Sequence, residues 1–330
     1  MPEVPPLEAE LQLATRGSEM KLEAELPPGT GESRGTRLAR AVLGPQPIGM
    51  AFGAPYALFI AVLFAYPLGL AVWISFHSYF FTAPGVSVAR PFVGLANYVA
   101  VLTDSEVLRS FLNILIFLVI NVPLTVGLSL LLATALNAAI PFRAFFRACF
   151  YVPYVTASVA MVAVWLFMFS SGGVVNSVLG PLAPVPSWLV NQNWAMPSIA
   201  IYVTWKQLGF FILLYLAALQ NVPKELYEAA SMDGASWWHR LRSVTIPGVR
   251  TVTTLITLLA IIGGANLFTE PYLLTAGGGP NGKSASPVLL MYQTGIEQNH
   301  PDFASALGII LVIGVLLIVG VQRLLQRNQT

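Results

Sequence analysis

Charge is what this 330-residue sequence has least of: only 10% of its residues are Asp, Glu, Lys or Arg, against 56% hydrophobic. A water-facing globular domain carries about 25% charged residues, so a soluble fold is excluded and the mean hydropathy of +0.71 points to a membrane protein. Cysteine is nearly absent too. A single residue, Cys149, excludes an intramolecular disulfide and offers no thiolate cluster for a metal. The three histidines, His77, His239 and His300, are scattered and show no metal-ligand spacing. No pair of carboxylates or nucleophile–base set shares one loop, so a membrane-embedded enzyme finds no support. Nothing in the composition suggests nucleic-acid binding.

What is present is a series of long apolar runs. Residues 1–47 are rich in Pro, Gly, Glu and Arg and poor in aromatic and β-branched side chains. Such a segment cannot bury enough apolar surface to offset its ordering entropy, so it is expected to be a disordered cytoplasmic tail, with no cleavable signal peptide. Residues 48–330 are expected to form the membrane domain. Six stretches approach the roughly 20 residues needed to cross the hydrocarbon core: about 52–76, 110–134, 148–170, 196–218, 248–270 and 303–322. Pro67, Pro123 and Pro153 fall inside three of them. In a membrane bundle, neighbouring helices can satisfy the carbonyls that proline frees, so kinked spans are expected.

Orientation follows from the basic residues. With the N-terminus in the cytoplasm, all of the 17 Lys and Arg residues except Arg90, Arg109, Lys206 and Lys283 fall on the cytoplasmic side or in the tail. The positive-inside rule therefore favours six transmembrane helices with both termini cytoplasmic. The tryptophans near the span ends, Trp165, Trp188, Trp194 and Trp205, are expected as interfacial anchors.

Residues 277–284, Gly-Gly-Gly-Pro-Asn-Gly-Lys-Ser, match the phosphate-loop pattern G-x-x-x-x-G-K-[ST]. The context argues against one. A phosphate loop joins a buried strand to a helix that starts inside the motif, whereas here an apolar segment precedes and Pro287 follows closely. The topology also places the stretch outside the cell, away from ATP. The match is expected to be coincidental, a turn in which glycine supplies positive φ.

Between the fourth and fifth spans, residues 219–247 read as a cytoplasmic helix–turn–helix. Pro223 suits a first turn, Glu225 and Glu228 lie in the N-terminal half, Ala229 and Ala230 favour helix, and Gly234 suits a left-handed end. A second amphipathic piece, Ala235 to Val244, then runs to Pro247 at the start of the fifth span.

This loop resembles the cytoplasmic signature of ABC importer permeases: Glu-Ala-Ala, three residues, Gly, nine residues, Ile, one residue, Leu-Pro. Here it reads Glu228-Ala229-Ala230, Gly234, then Val244, Thr245, Ile246-Pro247, with conservative changes at the apolar positions. "FVGLANYVAVL", "TWKQLGFFILLYLAALQNVPKELYEAASMDGA" and "PYLLTAGGGPNG" extend the resemblance to the carbohydrate branch, the maltose-type and glycerol-phosphate-type first permeases, over roughly residues 50–325. Ala276 stands where that branch has glycine.

The resemblance implies an all-α, type I ABC importer permease fold in a prokaryotic plasma membrane. It implies a second, different permease subunit, two ATP-binding subunits that hold ATP and Mg, and an extracytoplasmic substrate-binding protein. This chain itself would bind no cofactor. Glu228, Ala229, Ala230, Asp233 and Gly234 would form the coupling helix that docks on an ATPase subunit. A sugar path needs hydrogen-bonding and aromatic groups near mid-membrane. The fourth span offers Lys206, Gln207 and Phe210, and the fifth Gly264, Asn266 and Glu270. A charge such as Lys206 within a span points to function, to a phosphorylated or acidic substrate, or to a stabilising pair with Glu270. The alternative reading is a secondary transporter that uses Lys206 and Glu270 as coupling charges, although no internal repeat of spans is visible.

Overall fold

The computed structural model describes residues 47–138 and 141–327, so the tail expected over residues 1–47 lies, but for Pro47, outside the described residues. Among the described residues the chain is helical, and the one extended pairing is an isolated bridge between His77 and Phe92. Four helices are long and apolar enough to cross a membrane, and six spans result if each of two bent pairs counts as one. The four are α1 (Phe52–Ser75), α3 (Ser105–Asn137), α7 (Ala195–Leu219) and α13 (Pro301–Arg327, apolar over Pro301–Leu324). A short helix, α2 (Ala96–Thr103), precedes α3. Asp104 separates the two and caps α3, accepting from the backbone N–H groups of Glu106 and Val107 at 2.7 and 3.0 Å.

The bent pairs depart from the expectation of simple kinks. The third stretch becomes α4 (Arg143–Val155) and α5 (Ser158–Met168), which turn by 99° across Thr156–Ala157. Proline 153 lies inside α4, so the turn falls after it rather than at it. The other pair is α9 (Trp237–Gly248) and α10 (Arg250–Ala265), bent by 75°. The fifth stretch is shorter than expected: α10 stops at Ala265, and a one-and-a-half-turn helix, α11 (Thr269–Leu274), resumes after Asn266–Phe268.

The chain forms two compact units, one ending at Leu68 and the other beginning at Gly69. In the first, the described helix carries outward-facing apolar side chains such as Phe52 and Tyr56, with Tyr56 stacked on Phe59. In the second, α3 and α7 form the centre and run parallel. Ile114, Phe117 and Leu118 meet Met196, Ile199 and Val203 at one level. Leu130, Ala133 and Leu136 meet Phe211, Ile212, Tyr215 and Leu219 at the other, with Val249 and Ile256 of the α9–α10 region.

Lipid tails are as apolar as leucine, so such helices associate through close packing and interhelical hydrogen bonds rather than through escape from water. Both are present. A side chain at Gly209 of α7 would collide with the backbone of Phe150 and Tyr151 in α4. A Cβ at Gly264 would lie 2.6 Å from Leu118 Cδ2, so this position lets α10 close on α3. Asn121 donates to Thr204 Oγ1 at 2.8 Å, and Tyr215 donates to Thr253 Oγ1 at 3.0 Å. The tryptophans expected near the span ends pack against one another and their neighbours. Trp165 and Trp205 pack on Tyr202, Trp165 also meets Phe169, and Trp188 joins Phe169 to Trp194 in one continuous aromatic cluster.

Candidate functional site

The segment after α7 folds as the helical hairpin that its residue types imply. Helix α8 (Lys224–Met232) starts after Pro223 and ends in a Schellman motif. The N–H of Ala235 donates to the Ala230 carbonyl at 2.9 Å, that of Gly234 to the Ser231 carbonyl at 3.1 Å, and Gly234 takes φ +70°. The following arm, α9, is capped by Ser236, whose hydroxyl accepts from the N–H of His239 at 3.3 Å. Side chains tie the two arms together: Arg240 Nη1 donates to Ser231 Oγ at 2.9 Å, and the hydroxyls of Tyr227 and Thr245 lie 3.2 Å apart.

Only one side of this hairpin is used internally. Val222 and Leu219 belong to the core, with Tyr227 and Val244 packed against it. Glu228, Ala229, Asp233 and Gly234 are exposed and Ala230 is half-buried. Beside them stand Leu226, Trp237, Trp238 and Met232, the last 84% exposed. Among the described residues Glu228 has no ion-pair partner. A small-residue helix face, an unpaired acid and exposed large apolar side chains together make a surface fit for docking another protein.

The second group lies in the core of the helical unit. Lys206 Nζ lies 3.8 Å from Glu270 Oε1 and donates a hydrogen bond to Ser158 Oγ, so one cation ties α7 to α11 and α5. Both charged side chains are nearly buried, 13% and 14% exposed. Phe210, one turn on from Lys206, stacks on Tyr154 with ring centroids 5.0 Å apart. Gln207 is half-buried and makes no hydrogen bond among the described residues. Two of the six expected path residues stand apart from this group. Asn266 is exposed and its amide donates to the Ile262 carbonyl of its own helix at 2.8 Å. Gly264 faces α3 as a packing contact.

The third feature is the loop from Thr275 to Ser286. No strand precedes it; it runs from α11 to α12 (Pro287–Tyr292). Its backbone turns inward on itself. The N–H groups of Gly277, Gly278, Gly279, Gly282, Lys283 and Ser284 all donate to carbonyls between Pro271 and Pro280. Ser284 is fully buried and its hydroxyl donates to Thr275 Oγ1 at 2.8 Å. Two side chains from α3 that the sequence did not single out for this place hold the loop: Arg109 Nη1 donates to the Asn281 carbonyl at 2.8 Å, and Asn113 Nδ2 to the carbonyls of Gly282 and Ala285 at 2.8 and 2.9 Å. The loop therefore sits at the N-terminal end of α3, whereas the hairpin core joins Leu136 at its C-terminal end.

An inward-tied loop, a buried charge pair between helices and an exposed hairpin are thus carried on a bundle of long apolar helices. The model of the family described as "Binding-protein-dependent transport system inner membrane component" matches residues 93–330, and the chain belongs to this family. Curated relatives include the arabinooligosaccharides transport system permease protein AraP of Bacillus subtilis (strain 168), 33% identical over 271 residues, covering 81% of this chain and 84% of the relative. The lactose transport system permease protein LacF of Rhizobium radiobacter is 33% identical over 276 residues, 82% of this chain and 90% of that protein. The fold is that of a solved bacterial alginate ABC transporter in complex with a pentasaccharide-bound periplasmic protein. There the TM-score is 0.72 at 21% identity, over 88% of this chain and 98% of that one. The chain is thus an inner-membrane permease component with an ABC importer permease fold.

Proposed function

We propose that this chain is one of two different permease subunits of an ATP-driven ABC importer for a carbohydrate, working with two ATP-binding subunits and an extracytoplasmic binding protein. The observation that carries the coupling part of this reading is the hairpin, whose Glu228 face is exposed and unpaired while its other side is anchored in the core. The substrate class is supported by relatives whose names specify arabinooligosaccharides, lactose and trehalose/maltose transport.

The same reading takes α4 with α5 as the third span and α10 with α11 as the fifth, which makes six, and puts both termini and the hairpin in the cytoplasm and the Thr275–Ser286 loop outside. In support, loop and hairpin lie at opposite ends of α3, and Arg143, Arg147, Arg240, Arg242 and Arg250 fall in the segment that follows the C-terminal end of α3 or within and just after the hairpin. Residues 228–234 act as the coupling helix: ATP closure of the partner subunits moves this helix, and α9 and α10 carry the movement into the bundle. Lys206, Gln207 and Phe210, with Glu270, line the solute path, where Gln207 has an uncommitted amide for a sugar hydroxyl. The Gly-Lys-Ser after the glycines is a coincidental phosphate-loop match. Supporting this, the loop's backbone amides are consumed internally and Ser284 is buried.

The test is affinity purification of the tagged chain from native membranes, followed by an ATPase assay on the eluate. A second permease and an ATP-binding subunit are expected to co-purify, with hydrolysis unchanged in Lys283→Ala. A chain that elutes alone and hydrolyses ATP in a Lys283-dependent manner defeats the proposal.

A further inference from the structure

The Thr275–Ser286 loop closes one wall of a pocket of about 710 Å³ at the N-terminal end of α3. Glu106 and Arg109 come from α3, Gln192 from the segment before α7, Lys283 and Asn281 from the loop, and Gln293 from the turn after α12. No aromatic ring lines it. Its volume lies inside the range of small-molecule sites, about 300–1,000 Å³.

The two cations are under-used. Lys283 is exposed and its side chain has no hydrogen-bond or ion-pair partner among the described residues, although Glu106 lines the same cavity. Arg109 spends one N–H on the Asn281 carbonyl, which leaves most of its fork of donors unspent. A phosphate-loop mode of binding is closed off, because the loop's amides already point into the loop. Any anion held here is held by side chains. A bare anion is a poor fit, since Glu106 repels it and the Gln293 amide, whose Nε2 is tied to the Gly277 carbonyl at 3.0 Å, presents its oxygen as an acceptor. A ligand bearing both an oxyanion and hydroxyl groups satisfies both sets: the oxyanion takes Arg109 and Lys283, and the hydroxyls donate to Glu106 and Gln293.

We propose that this pocket is a binding site for an anionic saccharide, held through its carboxylate or phosphate by Arg109 and Lys283. The proposal deepens the carbohydrate reading and rests on it, because that reading puts the pocket on the outer face where an incoming solute passes. The solute is gripped by charge and hydroxyl contacts there, before it reaches the aromatic and amide groups around Lys206.

The experiment uses the intact transporter complex in nanodiscs and calorimetric titration with digalacturonate, glucose 6-phosphate, lactose and inorganic phosphate. Digalacturonate, glucose 6-phosphate or both are expected to bind in preference to lactose and inorganic phosphate, and which of them binds identifies the oxyanion. Lys283→Gln is expected to weaken that binding about tenfold, as loss of one charge-assisted hydrogen bond does, and Lys283→Arg to retain it. Equal affinity of wild type and Lys283→Gln for every anionic probe overturns the proposal. So does binding of inorganic phosphate as tight as that of the sugar phosphate. An acidic peptide that binds in a Lys283-dependent way while the saccharides do not would make the pocket a protein contact and overturn it as well. ATP-driven uptake of a neutral sugar by the wild-type complex, measured on the same preparation, tests the permease reading separately.

Discussion

The hairpin at one end of α3 and the Thr275–Ser286 loop at the other are both polar, glycine-containing connections between apolar helices, yet they are built in opposite ways. The loop satisfies itself. Its amides, Ser284 and Thr275 bond inward, and Asn113 and Arg109 reach across from α3 to complete it. The hairpin closes only its inner side and leaves Glu228, Trp237, Trp238 and Met232 facing outward. Buried polar groups without partners are costly, so a loop closed by its own amides and by Asn113 and Arg109 of α3 needs no second chain to hold its shape. The outward side chains of the hairpin have no such contacts within the described residues.

Four tests show how far that contrast reaches. The largest effect is expected where a buried charge loses its partner. Lys206→Met leaves Glu270 unpaired in the core and is expected to destabilise the subunit by about 3–5 kcal/mol. Lys206→Met combined with Glu270→Gln recovers most of that loss if the pair is structural, as thermal unfolding of the detergent-purified complex would report. Next is the open hairpin. Glu228→Ala is expected to cut ATP-driven uptake by about thirtyfold or more, the scale of a truncated charge pair at an interface, without changing the unfolding of the isolated chain, whereas Glu225→Ala does much less. Wild-type uptake in both variants would remove Glu228 from the coupling role. The closed loop behaves in reverse. Asn113→Leu leaves the carbonyls of Gly282 and Ala285 without their donor, at about 1–3 kcal/mol, seen as faster hydrogen exchange in residues 277–285 of the subunit. Smallest is Gly234→Ala, which places a side chain at φ +70° and costs about 1 kcal/mol, read as a small drop in melting temperature.

Much of the hairpin was legible in the sequence because its determinants are local. Gly234 two residues beyond Met232 reads as a left-handed end, and the structure closes it with two backbone bonds to residues within the same turn. The apolar stretches were legible for the same reason, and α1, α3, α7 and α13 fall within a few residues of the expected bounds. The bend between α4 and α5 was not. Pro153 signals a kink, but the structure turns by 99° only at Thr156–Ala157, and α4 lies against Gly209 of α7, a contact between distant segments that leaves no local signal. The break in the fifth stretch, at Asn266–Phe268, follows closely on Gly263 and Gly264, whose low helix propensity marks it in the sequence. The pairing of Lys206 with Glu270 stood among the sequence alternatives, but the third member, Ser158, had no local signal. Asn113 is 169 residues from Gly282, so its role as the loop's clasp leaves no pattern along the chain.

The length of α3 has a geometric consequence for the membrane. Its 33 residues make a rod of about 50 Å, whereas the hydrocarbon slab is about 30 Å thick. Even at a steep tilt of about 40°, the slab covers only about 39 Å of the rod, or about 26 residues. Roughly two turns must therefore stand clear of the oil. Glu106 and Arg109 occupy the first two turns, so the rod is long enough to lift both charges out to headgroup depth while Leu136 remains anchored at the far end.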